Sequence, residues 1–139
     1  MSLSLFNLLI TWSLIGLIWV IQLVHYPSFA YVDEDLFSNF HRHHTFSISL
    51  IVMPLMLLEV TIAAFLLYQH GHWTYLVPFL LVIGIWLATF LIAVPLHNQL
   101  ANGKDIILIN QLVQTNWIRT ILWTIKGLWL GYVFWEKQL

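Results

Sequence analysis

The 139-residue chain has no cysteine and very few charged side chains. Without cysteine it has no disulfide, no thiolate metal site and no c-type haem attachment motif. Five basic and six acidic residues give a formal net charge of −1, so no basic surface and no nucleic-acid partner are expected. Hydrophobic residues make up 60% of the chain and charged residues only 8%, and a soluble domain of this length has too little interior to bury them.

Long apolar runs take up most of the sequence. Each is close to the roughly 20 residues that an α-helix needs to cross a bilayer core. Because the connections are short, we predict an all-α membrane protein, a single domain over 1–139, with four transmembrane helices in an antiparallel up-down bundle. The N-terminus lacks the features of a cleaved signal peptide, so the first span is expected to be retained. The predicted spans are about 6–25, 45–68, 75–97 and 116–135.

Local signals predict where these helices begin and end. Pro27 disfavours further helix, so span 1 is predicted to end at 25–27. The acidic stretch 33–35 favours the start of a second helix that enters the membrane later. Residues 106–115 are predicted to form a short interfacial helix before span 4. An excess of one or two basic residues favours a cytoplasmic position for the first and third connections.

Histidines gather at one predicted membrane face, where spans 1 and 3 end and helices 2 and 4 begin. Neutral imidazole is a common metal ligand, and a set of histidines with a carboxylate suits iron, copper or zinc. Two histidines from different helices would also suit haem. Equally, histidines at interfacial helix ends often bond only water or headgroups. The predicted ligands are His25, His41, His44 and His97, with His43 turned away from its neighbours by the helical spacing.

Glu59 is the most informative single residue, because a carboxylate in mid-span is costly unless it is paired, hydrated or protonated. It should face the bundle interior, with Lys126 as the first candidate partner and Arg119 as the second. The pair would be structural, or Glu59 would accept a proton or ligate a metal, and both readings stay open at this stage. In span 4, Asn116, Arg119, Trp123 and Lys126 follow a 3-4-3 spacing and form one polar seam.

Two segments carry a family resemblance. Residues 94–100 (VPLHNQL) followed by 116–120 (NWIRT) resemble the anthrone-oxygenase-like family of small four-span membrane proteins. Residues 25–27 (HYP), 40–44 and 54–59 are more similar to a related branch of bacterial membrane proteins with no assigned activity. The resemblance implies a bacterial cell-membrane oxygenase that converts an anthrone-like methylene of an aromatic substrate to a quinone carbonyl. Its shared core would include Asn98, Trp117, Arg119 and Thr120, and the resemblance does not guarantee His97 or Glu59.

These observations lead to a first hypothesis, a membrane-embedded oxidoreductase with a possible metal. Its catalytic residues would be Glu59, Arg119 and His97, and it would act on a lipophilic aromatic or quinone-like molecule. The alternative is a non-catalytic membrane subunit or binding protein, in an oligomer or a larger complex, whose polar seam fixes helix pairing. A transporter is less favoured, because the chain shows no inverted halves. Residues expected to contact the ligand are Gln22, Tyr26, Asn98, Asn116, Trp117 and Lys126.

Overall fold

The computed structural model describes residues 2–136, and within them the chain is helical with no β-strand. Four long helical rods account for almost all of it. Rod 1 is Leu3–Tyr31, rod 2 is helix α3 (Glu34–His70), rod 3 is Trp73–Leu100 and rod 4 is helix α6 (Ile106–Glu136). Rod 1 packs against rods 2 and 4, and rod 3 packs against the same two rods. The prediction of an all-α fold is confirmed.

Rods 1, 2 and 3 are long and apolar enough to cross a membrane, which is consistent with a multi-pass integral membrane protein. Rod 4 is long enough but is not among them, because polar and charged side chains interrupt its apolar run. Large apolar residues such as Leu91, Ile107 and Leu128 are 60–70% exposed on the outside of the rods. An apolar exterior of this kind is suited to lipid rather than water.

Rods 1 and 3 share a helical irregularity that the sequence reading missed. Rod 1 is built from α1 (Leu3–Val20), a π-helical segment (Ile21–His25), α2 (Tyr26–Ser28) and a 3₁₀ turn (Phe29–Tyr31). Rod 3 is built from α4 (Trp73–Ala88), a π-helical segment (Thr89–Ala93) and α5 (Val94–Leu100).

In both rods a proline, Pro27 or Pro95, follows the π-helical segment by two positions. The expectation that helix does not continue past Pro27 is therefore wrong, since the helical backbone continues to Tyr31. A proline lacks the N–H of a regular helix, and an extra residue in the preceding turn gives the chain room to continue past it. Segments of this type recur at functional sites, and both of these lead directly into the polar residues described below.

Rod 4 also differs from its prediction. Residues 106–115 are not a separate interfacial helix, because α6 runs without a break from Ile106 to Glu136. Asp105 starts it, with its Oδ1 accepting hydrogen bonds from the backbone N–H groups of Ile107 (2.8 Å) and Leu108 (3.1 Å). In the same connection, the Lys104 ammonium donates to the carbonyl oxygens of Ala30 and Val32 at 2.8 and 2.7 Å. This lysine ties the start of rod 4 to the end of rod 1.

The buried core is mostly apolar and encloses a smaller number of buried polar side chains. Rods 1 and 4 are in close contact at Gly127, where an added Cβ would overlap the Cδ1 of Ile15. The missing side chain therefore lets the two rods pack tightly beside the polar residues. Fully buried apolar side chains include Leu14, Phe29, Phe37, Met56, Ile85, Leu100, Leu112 and Trp123.

Candidate functional site

The four histidines predicted to converge do so, and they lie at one end of the rods. His25 Nε2 is 2.6 Å from His44 Nδ1, and His41 Nε2 is 3.0 Å from His97 Nδ1. The His44 and His97 rings are 6.0 Å apart and join the two pairs. Phe29 presents its ring to three of them in edge-on contacts. Rods 1, 2 and 3 therefore build one histidine cluster (His25, His41, His44 and His97), while His43 is exposed as predicted.

The cluster continues into rod 4 through Tyr26. The Tyr26 hydroxyl lies 3.0 Å from His97 Nε2 and accepts a hydrogen bond of 3.2 Å from Arg119 Nη2. The same guanidinium nitrogen donates to the amide oxygen of Asn116. Tyr26 and Arg119 are 4% and 7% exposed, so this contact is shielded from the surroundings. A buried guanidinium held against a phenol is a fixed positive charge where an oxygen anion would be stabilised.

Gln22 fixes Asn116 from the other side. Its amide oxygen accepts from Asn116 Nδ2 at 2.8 Å and from the Thr120 hydroxyl at 3.3 Å. Its amide nitrogen donates to the carbonyl oxygen of Val113 at 3.0 Å. Every polar group of the Gln22 side chain is thus engaged with rod 4, which holds Asn116 and, through it, Arg119 in position.

Donor and acceptor inventory gives this chain of contacts a direction. Arginine only donates, so the Tyr26 oxygen accepts from Arg119 and its hydroxyl hydrogen is available to His97 Nε2. A neutral His97 then donates from Nδ1 to His41 Nε2. His41 Nδ1 and His44 Nε2 are buried and have no hydrogen-bond partner among residues 2–136. The hydrogen positions that satisfy most of these groups therefore form a hydrogen-bonded relay, in which Tyr26 donates to His97 and His97 donates to His41. The relay ends at His41 Nδ1, which is unpaired among residues 2–136.

A second polar group lies deeper between rods 1, 2 and 4. Lys126 Nζ is 2.6 Å from Glu59 Oε1, and neither side chain is exposed. Thr11 accepts a hydrogen bond from Lys126 at 2.7 Å and donates one to Glu59 at 3.0 Å. Trp123 Nε1 donates to the other carboxylate oxygen at 3.1 Å. The predicted pairing with Lys126 is confirmed, and both oxygens of Glu59 are occupied.

A cavity of about 330 Å³ lies between this ion pair and the histidine cluster. Its walls are mostly apolar and come from all four rods, including Leu14, Ile18, Met56 and Ala93. Tyr26, His41, His97 and Arg119 give it one polar end, and Trp123 lines it while donating to Glu59. The volume is at the lower end of the range for small-molecule sites. Glu59 and Lys126 themselves do not line it.

The other predicted ligand contacts divide. Asn98 lines the cavity, whereas Trp117 is 38% exposed and packs edge-on against Trp19 at 5.5 Å, away from the polar residues. Thr11 was missed, although it lies eleven residues before Gln22 and so on the same helical face. That spacing was the available signal. Arg42 was also missed as a residue of the cavity.

The metal prediction finds no support in the part of the chain that the structure describes. Residues 2–136 contain no group of three or more histidine, aspartate or glutamate side chains arranged to hold a metal ion. In the histidine cluster, the nitrogens that face one another are already used in the two hydrogen-bonded pairs.

No protein-family model, curated protein or solved structure matches the chain. The resemblance to the anthrone-oxygenase-like family therefore stays a prediction from short motifs.

Proposed function

We propose that the chain is a four-span protein of the bacterial cell membrane that binds a lipophilic, oxygen-bearing aromatic molecule and oxidises it. The proposal rests on the cavity. Its apolar walls come from all four rods, and its polar end is built from Arg119, Tyr26, His97 and His41. Sites for small molecules typically combine an apolar lining with a few placed polar groups. The walls fit the ring system, and the polar end fits its oxygen.

The proposal that rod 4 also crosses the bilayer rests on how its side chains divide. Asn116, Arg119 and Lys126 are at most 7% exposed and face the other rods, whereas Ile121 and Leu128 are more than 50% exposed. Its 31 residues span about 46 Å, more than a hydrocarbon core. With short connections, four crossings give an antiparallel up-down bundle.

The absence of cysteine makes this threading directly testable. Single cysteines placed at Ser28, His43 and Asn102 are expected to react with an impermeant maleimide from one side of sealed vesicles. Cysteines at Gly71 and Trp135 are expected to react only from the other side. If the Trp135→Cys and Asn102→Cys variants were labelled from the same side, rod 4 would not cross the bilayer.

The proposed reaction needs dioxygen as the oxidant and is balanced as R₂CH₂ + O₂ → R₂C=O + H₂O. A substrate proton would pass to the Tyr26–His97–His41 relay, leaving an anion that reacts more readily with dioxygen. Arg119, fixed by Asn116 and Tyr26, would stabilise the negative charge on the substrate oxygen. The relay would return the proton when water leaves, as a general acid–base catalyst does.

Conversion of anthrone to anthraquinone in nanodiscs containing the protein tests this reaction, with absorbance as the readout. Tyr26→Phe removes the hydroxyl that links Arg119 to His97, and we expect the enzymatic rate to fall by about 100-fold or more. Tyr31→Phe is the matched control, because Tyr31 is 88% exposed, and it should leave the rate unchanged. A wild-type rate equal to that of empty nanodiscs would remove the oxidoreductase proposal.

A non-catalytic membrane subunit is the second candidate, and the deep polar group favours it. The Glu59 carboxylate and the Gln22 amide have all their partners in other rods, so they fix helix pairing without facing a ligand. Co-purification of the chain with a larger complex, together with no ligand and no oxidation, would support this function instead.

A further inference from the structure

Two arginines line the cavity, and no residue with a carboxylate side chain does. Arg119 lies at its polar end and Arg42 lies along its wall, while none of the lining residues is aspartate or glutamate. Within residues 2–136 the ion pair of the chain is Glu59 with Lys126, so neither arginine has a carboxylate partner. The site therefore has an excess of positive charge that no side chain around it neutralises.

Arg119 has hydrogen-bond donors to spare. Its Nη2 donates to Tyr26 and Asn116, but its Nε and Nη1 make no hydrogen bond within the described part of the chain. The side chain is only 7% exposed and lines the cavity, and it also borders a smaller pocket between rods 3 and 4. A buried cation with unused donors is costly, and an anion placed on those donors would offset that cost.

Exposed lining residues mark where the cavity opens. Arg42 and Ser49 belong to rod 2, and Phe90 and Asn98 belong to rod 3, and all four side chains are exposed. The opening therefore lies between two rods that are each apolar enough to span a membrane. In a bilayer such a mouth faces lipid, with Arg42 near the start of the predicted span at 45–68 and hence close to headgroup depth.

We propose that this cavity selects an acidic lipophile, a molecule with an apolar body and one ionised oxygen, which enters sideways from the bilayer between rods 2 and 3. The anion binds Arg119, and Arg42 attracts it at the mouth. The inference shares the cavity with the proposed function but does not depend on the oxidation. It specifies that the ligand carries a negative charge, a requirement that a neutral quinone or alcohol does not meet.

Binding of a matched probe series to the protein in nanodiscs, corrected for partition into empty nanodiscs, tests the charge requirement. Dodecanoate should bind saturably and at least about tenfold more tightly than dodecanol or dodecylamine. Dodecanol has no charge to strengthen a hydrogen bond with Arg119, and the ammonium group of dodecylamine is repelled by it. A second acid, 3-hydroxy-2-naphthoate, distinguishes the source of the ligand. Tighter binding of the naphthoate indicates an aromatic acid, and tighter binding of dodecanoate indicates a fatty acid.

Variants locate the charge. Arg119→Gln should weaken dodecanoate binding by about 10- to 100-fold and leave dodecanol binding unchanged. Arg119→Lys, which keeps the charge, should lose less. Arg42→Gln removes an exposed charge and should weaken the acid only about two- to fivefold, with a reduced salt dependence of association. His43→Gln, the exposed neighbour outside the cavity, is the matched control and should change nothing.

The outcomes separate this inference from the oxidation. Equal binding of acid, alcohol and amine would overturn it, as would an Arg119→Gln variant that weakens all probes alike. If Arg119→Gln does not fold, a reduction of the acid preference by about two- to fivefold in Arg42→Gln, with a weaker salt dependence, still supports the inference. Retention of the full preference with unchanged salt dependence contradicts it. Selective acid binding without any oxidation of anthrone would sustain the inference and reject the proposed reaction.

Discussion

Replacing Glu59 by glutamine is expected to lower the free energy of unfolding by about 3–5 kcal/mol. The substitution leaves the Lys126 ammonium without its carboxylate, 2.6 Å away, in a place where neither side chain is exposed. Thr11 and Trp123 also lose a charged acceptor. Unfolding by dodecyl sulfate in mixed micelles, followed by circular dichroism, measures the change.

The double variant separates the ion pair from the general effect of changing a buried residue. Adding Lys126→Met to Glu59→Gln removes the unpaired cation, and we expect it to restore most of the lost stability. Glu136→Gln makes the same charge change at an exposed position and should alter stability by less than about 0.5 kcal/mol. Additive losses in the Glu59–Lys126 cycle would show that the two residues do not stabilise each other.

This pair illustrates which features the sequence could predict. An ionised side chain in the middle of an apolar run has few places to go, so Glu59 had to face the interior and Lys126 was the cation at a suitable depth. The same logic, applied to the 3-4-3 spacing of rod 4, placed Asn116, Arg119 and Trp123 on the buried face, and the structure agrees. Strong free-energy penalties combined with helical periodicity make such predictions possible.

Other features depend on backbone geometry that periodicity does not report. Pro27 predicts a helix end, but it follows a π-helical segment and rod 1 continues, as rod 3 does past Pro95. The cavity was equally hidden, because it arises from the shapes of four rods together. In the sequence, Arg42 therefore contributed only to the charge count that sets membrane orientation, although it lines the cavity. Trp117 shows the opposite error. Its place in a motif that resembles a known family predicted a ligand contact, but its side chain packs against Trp19 and does not line the cavity.

His97 occupies the central position in the relay, and its replacement by leucine is expected to affect stability and chemistry together. His97 contacts His41 through Nδ1 and Tyr26 through Nε2, so a leucine would leave two buried polar groups each short of one partner. At about 1–3 kcal/mol for each such group, we expect a loss of about 2–6 kcal/mol in the free energy of unfolding. The rate of anthrone oxidation should fall by a factor of about 10²–10⁴, because the proton can no longer pass to His41.

His97→Gln tests whether the relay or merely the packing is at stake. Glutamine keeps a donor and an acceptor of similar reach, so it should recover much of the stability, but it does not titrate as imidazole does and should leave the rate low. His43→Leu is the matched control on the exposed side of α3 and should change neither property. A His97→Gln protein that oxidises anthrone at the wild-type rate would show that no proton passes through this imidazole, and Tyr26 with Arg119 would then have to act without it.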